Sequence, residues 1–358
     1  MSDISFTKFQ NNKYFSSLDG LRFLSIIGVI WHHTVYCKGF GEYPFLNSGS
    51  LGVDLFFAIS GFLITTLLLR ENKRNGKISL KNFYMRRTLR IFPLYYAVLI
   101  LLYLPMVYFL ENDVVRKSEF FDNLIYFLTY TSNWFVFENP VKGTIFFFAW
   151  SLACEEQFYI LWSSIEKYFK KTWWIFVAII FLLKAIIYYN LGPAVFIEDS
   201  FFYRVITSFS SAIILGVVFA HLLFYKKYFK IIYRLIGFKF SPLIVFILLF
   251  LAVFFAVPKF VIHLFMILFI VSCVIREDHV LKYFLKIKIF VKMGMVSYCM
   301  YLTHMICYHL SYRLLDYINI NSTILTFILT LFVCFGVSWL SFITFEKYFL
   351  NFKKSFKS

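Results

Sequence analysis

Apolar runs of roughly 20 residues recur along this whole chain, and each is long enough to cross a bilayer as a helix. Ten such runs are read at 19–37, 50–70, 91–110, 147–167, 173–190, 205–225, 241–256, 259–275, 294–315 and 322–345. None shows the period-2 alternation that a membrane barrel needs. The expected fold is therefore an all-α polytopic membrane protein of about ten transmembrane helices. Composition agrees: 61% of the 358 residues are hydrophobic and 15% charged. A soluble domain of this size has no interior for that much apolar surface. Residues 120–137, "FFDNLIYFLTYTSNWFVF", are aromatic but interrupted, and read as an interfacial or re-entrant piece.

Basic residues orient the spans. With the N-terminus inside, the inner segments 1–18, 70–90, 166–172, 226–240, 276–292 and 346–358 hold 27 Lys/Arg and 6 Asp/Glu, against 7 and 9 in the outer segments. Both termini of this multi-pass chain are therefore expected in the cytoplasm. The same distribution accounts for the net charge of +17, so no nucleic-acid partner is expected. The expected organisation is a cytoplasmic lead-in (1–18), a transmembrane domain (19–345) and a basic cytoplasmic tail (346–358). The polar start has no small-residue cleavage site. The six cysteines form no CxxC pair, so neither a disulfide framework nor a metal site is expected.

Six charges remain in or at the edge of the spans: Asp19, Arg22, Asp54, Glu155, Glu156 and Lys184. A charge at bilayer depth costs at least ~2.5–3.5 kcal/mol and marks a partner or a wet cavity. Arg22 lies near the cytoplasmic surface and His33 near the outer one, about 16 Å apart along a helix and on one face. Asp54 and the segment Trp150, Ser151, Glu155 and Glu156 fall at the outer depth. Ser297, Tyr301, His304 and Tyr308 form one helical stripe. Plainer readings stand beside these. Arg22 pairs with Asp19 or snorkels; Lys184 snorkels; His32, one step off the His33 face, is structural; the ninth-span Ser and Tyr residues bond neighbouring helices.

Arg86, Arg87 and Arg90 in "FYMRRTLRIFPLYY" make one positive patch if helical. Arginine forks suit phosphate; anchoring on anionic membrane lipid is the alternative. Pro93 marks a bend or the start of the third span. No GxxxxGK[ST] or GxGxxG occurs.

Five blocks, in order, resemble the acyltransferase-3 family of bacterial integral-membrane O-acyltransferases: "LDGLRFLSIIGVIWHH", "GVDLFFAISGFLI", "FYMRRTLRIFPLYY", "WSLACEEQFYILW" and "VSYCMYLTHM". The resemblance runs from about residue 16 to the end. It implies an acyl-CoA donor, acetyl-CoA by default, and a cell-surface or lipid-linked glycan acceptor. It implies His33 as the catalytic histidine with Arg22 as its motif partner, and Arg86, Arg87 and Arg90 at the donor phosphates. Asp54 and Glu155 join the catalytic set, each able to orient the His33 ring; Trp150, Ser151 and His304 join the acceptor side. The pantetheine arm would then thread past Arg22, placing the thioester near His33. Direct transfer and a transient acyl-histidine both fit. Some relatives carry an extra C-terminal esterase-like domain; this sequence has none, so a self-contained transferase is the expectation. The rival class is a proton-coupled transporter using the same buried groups as a relay, although paired Gly/Pro-broken spans are not evident.

Overall fold

The computed structural model describes residues 2–12, 14–37, 48–138, 143–189, 191 and 200–356. Among them every regular element is helical. The chain divides into two compact units, one of residues 1–70 and 211–347, the other of 71–210 and 348–358. The connections 38–47 and 192–199, and the ends of the expected spans that reach them, lie outside the described residues.

Among the described residues four helices are long and apolar enough to cross a membrane: Ser48–Asn75, Leu80–Leu110, Phe201–Phe224 and Thr323–Phe352. Two bent pairs make the number six if each is one span: Lys226–Ile236 with Ser241–Phe254, bent by 75°, and Lys288–Met295 with Ser297–Tyr317, bent by 81°. Trp173–Tyr188 and Lys259–Ile275 are shorter apolar helices. Ser17–Cys37 and Trp150–Tyr168 have the length of a span but not the uniform apolar character. Asp19, Arg22, His32 and His33 dilute the first; Glu155, Glu156, Glu166 and Lys167 dilute the second.

In the first unit, Ser17–Cys37 is the central helix. Lys288–Met295, Ser297–Tyr317, Thr323–Ser341 and Lys259–Ile275 all pack on it, and Leu21, Ile26, Val29 and Ile30 are fully buried in that interface. The helices beginning at Leu51 and Ser211 approach backbone to backbone. A Cβ on Gly61 would strike the carbonyl oxygen of Ile213, and one on Gly216 would sit 2.6 Å from Ala58 O and 2.7 Å from Phe62 N. Small residues at a crossing let membrane helices gain van der Waals contact where no hydrophobic drive exists between them.

The lead-in is itself structured. Ser2–Asn11 packs on Lys226–Ile236, with the Phe6 and Phe9 rings 5.2 and 5.6 Å from that of Phe229. Arg70 closes this end by donating to Phe9 O at 2.5 Å and Asn12 O at 2.6 Å, its guanidinium over the Phe9 and Phe15 rings. His279 lies buried beside it, its Nε2 3.1 Å from Ser17 Oγ. Burial holds the His279 imidazole down at about 4, and the nearby Lys286 and Lys282 act in the same direction. An unfolded histidine titrates near 6.5. Below that pH the unfolded chain binds a proton that the folded chain refuses. The folded state is therefore expected to lose stability progressively as pH falls from about 6.5 toward about 4. Thermal unfolding in detergent, followed between about pH 7 and pH 5, should show this loss, and His279→Gln should reduce the slope.

In the second unit, Leu80–Val98 starts at an N-cap Ser79, whose Oγ accepts from Asn82 N at 3.4 Å. The connection before it is only 76–79, opened by Gly76 at φ +70°, a conformation that suits glycine at a helix C-terminus. The basic cluster therefore lies in the same helix that continues into the apolar stretch of the third span, and that helix starts well before Pro93. A proline removes one N–H from the ladder; here the helix continues through a π-turn at Leu99–Tyr103 and on to Leu110. The stretch 120–137 is broken into short helices ending at Asp122, Leu128 and Phe135.

Candidate active site

His33 sits four residues beyond Val29 on the same helix, and its Nδ1 is 2.9 Å from the Val29 carbonyl oxygen. A carbonyl only accepts, so Nδ1 carries the proton and Nε2 is the basic nitrogen. The His304 ring lies 4.6 Å away, centre to centre, at an interplanar angle of 61°. His304 is arranged the same way: its Nδ1 is 2.5 Å from Tyr301 O, three residues back on its own helix. Two imidazoles from two helices thus meet with the same tautomer, each set by a backbone carbonyl. Tyr301 adds a ring 5.5 Å from His304, and His32 one 5.2 Å from His33.

The segment carrying Asp54 is pressed onto this helix. A Cβ on Gly52 would strike Ser25 O and lie 3.1 Å from Val29 N, so only a glycine allows the approach. Asp54 Oδ2 lies 3.2 Å from His263 Nε2, while His33 Nδ1 bonds the Val29 carbonyl. The other nitrogen of His263, Nδ1, is 2.7 Å from Ser211 Oγ. Neither His263 nor Ser211 was singled out in the sequence, although His263 is the one histidine in the apolar run from Phe260 to Ile275. Arg22 donates to Asp19 Oδ1 at 2.7 Å, and Asp19 also accepts from Tyr14 Oη. The Arg22 pair is largely buried, at 17% and 6% side-chain exposure, which places it among the held charges and not the snorkelling ones.

The other sequence-derived residues belong to the second unit. Arg86 donates to Glu71 Oε2 and to Phe356 O, each at 3.0 Å. Glu71 also accepts from Ser79 N at 2.8 Å, so a buried carboxylate ties together the start of the helix and the base of the basic cluster. Arg87 lies over the Tyr159 ring at 5.4 Å and the Phe83 ring at 5.8 Å. Tyr159 donates to Glu155 Oε1. The three arginines share a helix but do not form one undivided patch, since Arg86 and Arg87 have distinct partners and Arg90 lies a turn further on. Ser151 is buried and donates to Phe148 O at 3.1 Å; Trp150 opens the helix that carries it. Tyr159 is the residue that sequence reasoning passed over here, and its place one turn after Glu155 is the signal that was available.

A family model described as an acyltransferase domain matches residues 15–343. The chain belongs to the acyltransferase-3 family. It is 33% identical over 172 residues to the peptidoglycan O-acetyltransferase OatA of Listeria monocytogenes, a match covering 45% of this chain and 25% of that protein. It is 36% identical over 166 residues to a putative O-acetyltransferase of Staphylococcus aureus strain COL, covering 45% and 26%. The O-acetyltransferase OatA of Staphylococcus aureus strain NCTC 8325 is 34% identical over 165 residues, covering 44% and 26%. The chain thus spans about a quarter of the length of these relatives. No solved structure matches it. Family and apolar helices together mark a membrane protein. Among the described residues no group of three or more His, Cys, Asp or Glu is placed to hold a metal.

Proposed function

We propose that this chain is an inner-membrane O-acyltransferase that moves an acetyl group from cytoplasmic acetyl-CoA to a hydroxyl of a cell-surface or lipid-linked glycan, with His33 as general base. The observation that carries this reading is the His33 tautomer. With Nδ1 donating to Val29 O, the lone pair of Nε2 is available to take a proton from an attacking alcohol. A sugar hydroxyl needs that help at neutral pH. His304 beside it gives a second basic nitrogen, suited to hold the acceptor hydroxyl or to pass the proton on.

In this reading the first and last stretches, 1–18 and 346–358, are cytoplasmic, and 19–345 is the transmembrane domain. Ten spans follow if the four long apolar helices, the two bent pairs, the two shorter apolar helices and the two polar helices Ser17–Cys37 and Trp150–Tyr168 each cross once. Arg22 and Arg90 lie toward the cytoplasmic side with Arg86 and Arg87, where the donor's phosphates arrive. Trp150, Ser151 and Glu155 serve the acceptor side. Proton NMR of glycans from the parent strain and a deletion strain tests the function. Loss of an O-acetyl signal on deletion, restored by the intact gene, supports it, and the name of the Listeria relative makes peptidoglycan the first fraction to examine. Unchanged spectra in every fraction overturn it.

The arginines separate by experiment. Arg90→Ala is expected to raise the donor KM about tenfold or more and leave the acceptor KM unchanged, as loss of a charge-assisted phosphate contact does. Arg86→Ala should also lower the amount of folded protein, because Glu71, 4% exposed, loses its cation. Breaking a buried pair in this way costs about 3–5 kcal/mol. Initial rates over a range of acetyl-CoA concentrations, beside immunoblots of the membrane fraction, distinguish the two.

A further inference from the structure

We propose that Ser211 is a nucleophile that carries the acyl group between donor and acceptor, activated by His263 and positioned through Asp54. This rests on the acyl-transfer reading above. The three side chains come from three helices of one unit and form a line: hydroxyl, imidazole, carboxylate. Ser211 Oγ is 2.7 Å from His263 Nδ1, and His263 Nε2 is 3.2 Å from Asp54 Oδ2. The second contact is close enough for an ion pair but lies off the line of a hydrogen bond. Contacts within a catalytic line commonly tighten as substrate binds.

The surroundings favour chemistry over structure. An imidazole buried at membrane depth beside a carboxylate only 16% exposed is expensive to keep, and apolar residues would pack there at less cost. His263 is buried, at 4% exposure, whereas Ser211 is only half-buried, so the line runs from the interior to an accessible hydroxyl. Ser211 also stands at a break in a span. Phe201–Ser208 and Ser211–Phe224 are separate helices within the apolar stretch 201–224. Non-helical backbone at that depth is tolerated where it is buried in protein or lines a wet cavity. The Ser211 helix is held against the Asp54 helix by the glycine contacts at Gly61 and Gly216, which fixes the geometry. His33 and His304 each bond a backbone carbonyl, whereas His263 stands between an alcohol and a carboxylate, the arrangement that activates serine in acyl transfer.

The step balances. Ser211 Oγ attacks the thioester carbonyl carbon while its proton passes to His263 Nδ1. The O–C bond forms, the C–S bond breaks, and the departing thiolate takes the proton from His263. In the second half the acceptor hydroxyl gives its proton to His33 and its oxygen attacks the same carbon. The bond to Ser211 Oγ breaks, and Oγ is reprotonated by His263, which draws a proton from solvent as His33 releases one. The products are the free thiol and the acceptor ester, with the enzyme unchanged.

The test uses the full chain, purified in detergent and incubated with acetyl-CoA radiolabelled in its acetyl group, then acid-quenched and digested for peptide mass mapping. The expected result is label on the peptide holding Ser211. Ser211→Ala and His263→Ala should abolish the label and slow transfer by about 10²-fold or more. His33→Ala should keep the label while transfer is lost, because only the second half is blocked. Asp54→Asn should weaken labelling with the donor KM unchanged, and Asp54→Glu should restore part of it, which a merely structural role would not do. Ser211→Cys keeps the shape and should carry the acetyl group as a thioester, released by neutral hydroxylamine where the serine ester is not. Wild-type protein that transfers acetyl groups without labelling Ser211, with Ser211→Ala as fast as wild type, overturns this inference and leaves the acyl-transfer reading standing. Wild-type protein that consumes no acetyl-CoA overturns both.

Discussion

His33→Ala is expected to lower O-acetyl transfer by about 10²–10⁴-fold, the range that general-base catalysis supplies, while the protein still accumulates in the membrane. The reason lies in what the ring does and does not hold. Its Nδ1 is committed to Val29 O, a carbonyl of the same helix, so removing the ring leaves that helix's own ladder intact. Its Nε2 is the nitrogen that this bond leaves basic. The neighbouring His304 keeps its own bond to Tyr301 O in the variant, so the site survives with one basic nitrogen fewer. Release of free thiol from acetyl-CoA in the presence of acceptor, measured beside an immunoblot of the membrane fraction, checks both halves of the statement. A variant with normal amount and normal rate would remove His33 from the mechanism. A variant with little protein would show that the ring is a packing element instead.

Gly61→Val and Gly216→Val are expected to reduce the amount of folded protein severely. Overpacking a core ordinarily costs about 1–3 kcal/mol because side chains rearrange. Here the obstacle is backbone: Ile213 O faces Gly61, and Ala58 O with Phe62 N faces Gly216, at 2.6 and 2.7 Å from the added Cβ. Neither side can yield without parting the two helices. Parting them also separates Ser211 from the helix that holds Asp54, so residual folded protein should lose activity out of proportion to its amount. Gly336→Val is the matched control, since a Cβ there meets nothing within 4 Å. Fluorescence-detected size exclusion of tagged variants in detergent reads the effect. Equal monodisperse peaks for all three would show that the close crossing is dispensable.

The helical character of the chain and most of its helix positions follow from the sequence alone, because a membrane leaves the backbone few choices and apolar length is a direct record of span length. The family blocks drew attention to His33, Arg22 and the arginine cluster, whose roles are proposals. Helix boundaries near polar residues were less legible. The basic cluster reads as a loop by charge, yet Ser79 caps a helix there and Glu71 neutralises Arg86, so the helix begins well before Pro93.

What the sequence by itself determined is which residues are too polar for lipid. Each such residue in an apolar run carries a cost that demands a partner, and the cost is visible without coordinates. What only the tertiary structure decided is which partner each one has. His33 and His304 are 271 positions apart in the chain and their rings meet at 4.6 Å. Asp54 reads from the sequence as a group at the depth of His33, and the packing of its helix sets its Oδ2 3.2 Å from His263 Nε2. A hydrogen bond depends on position to within a few tenths of an ångström, whereas helical periodicity specifies only a face and a depth. Pairing across helices is therefore settled by how the helices cross, and here by glycines at Gly52, Gly61 and Gly216, where backbones touch.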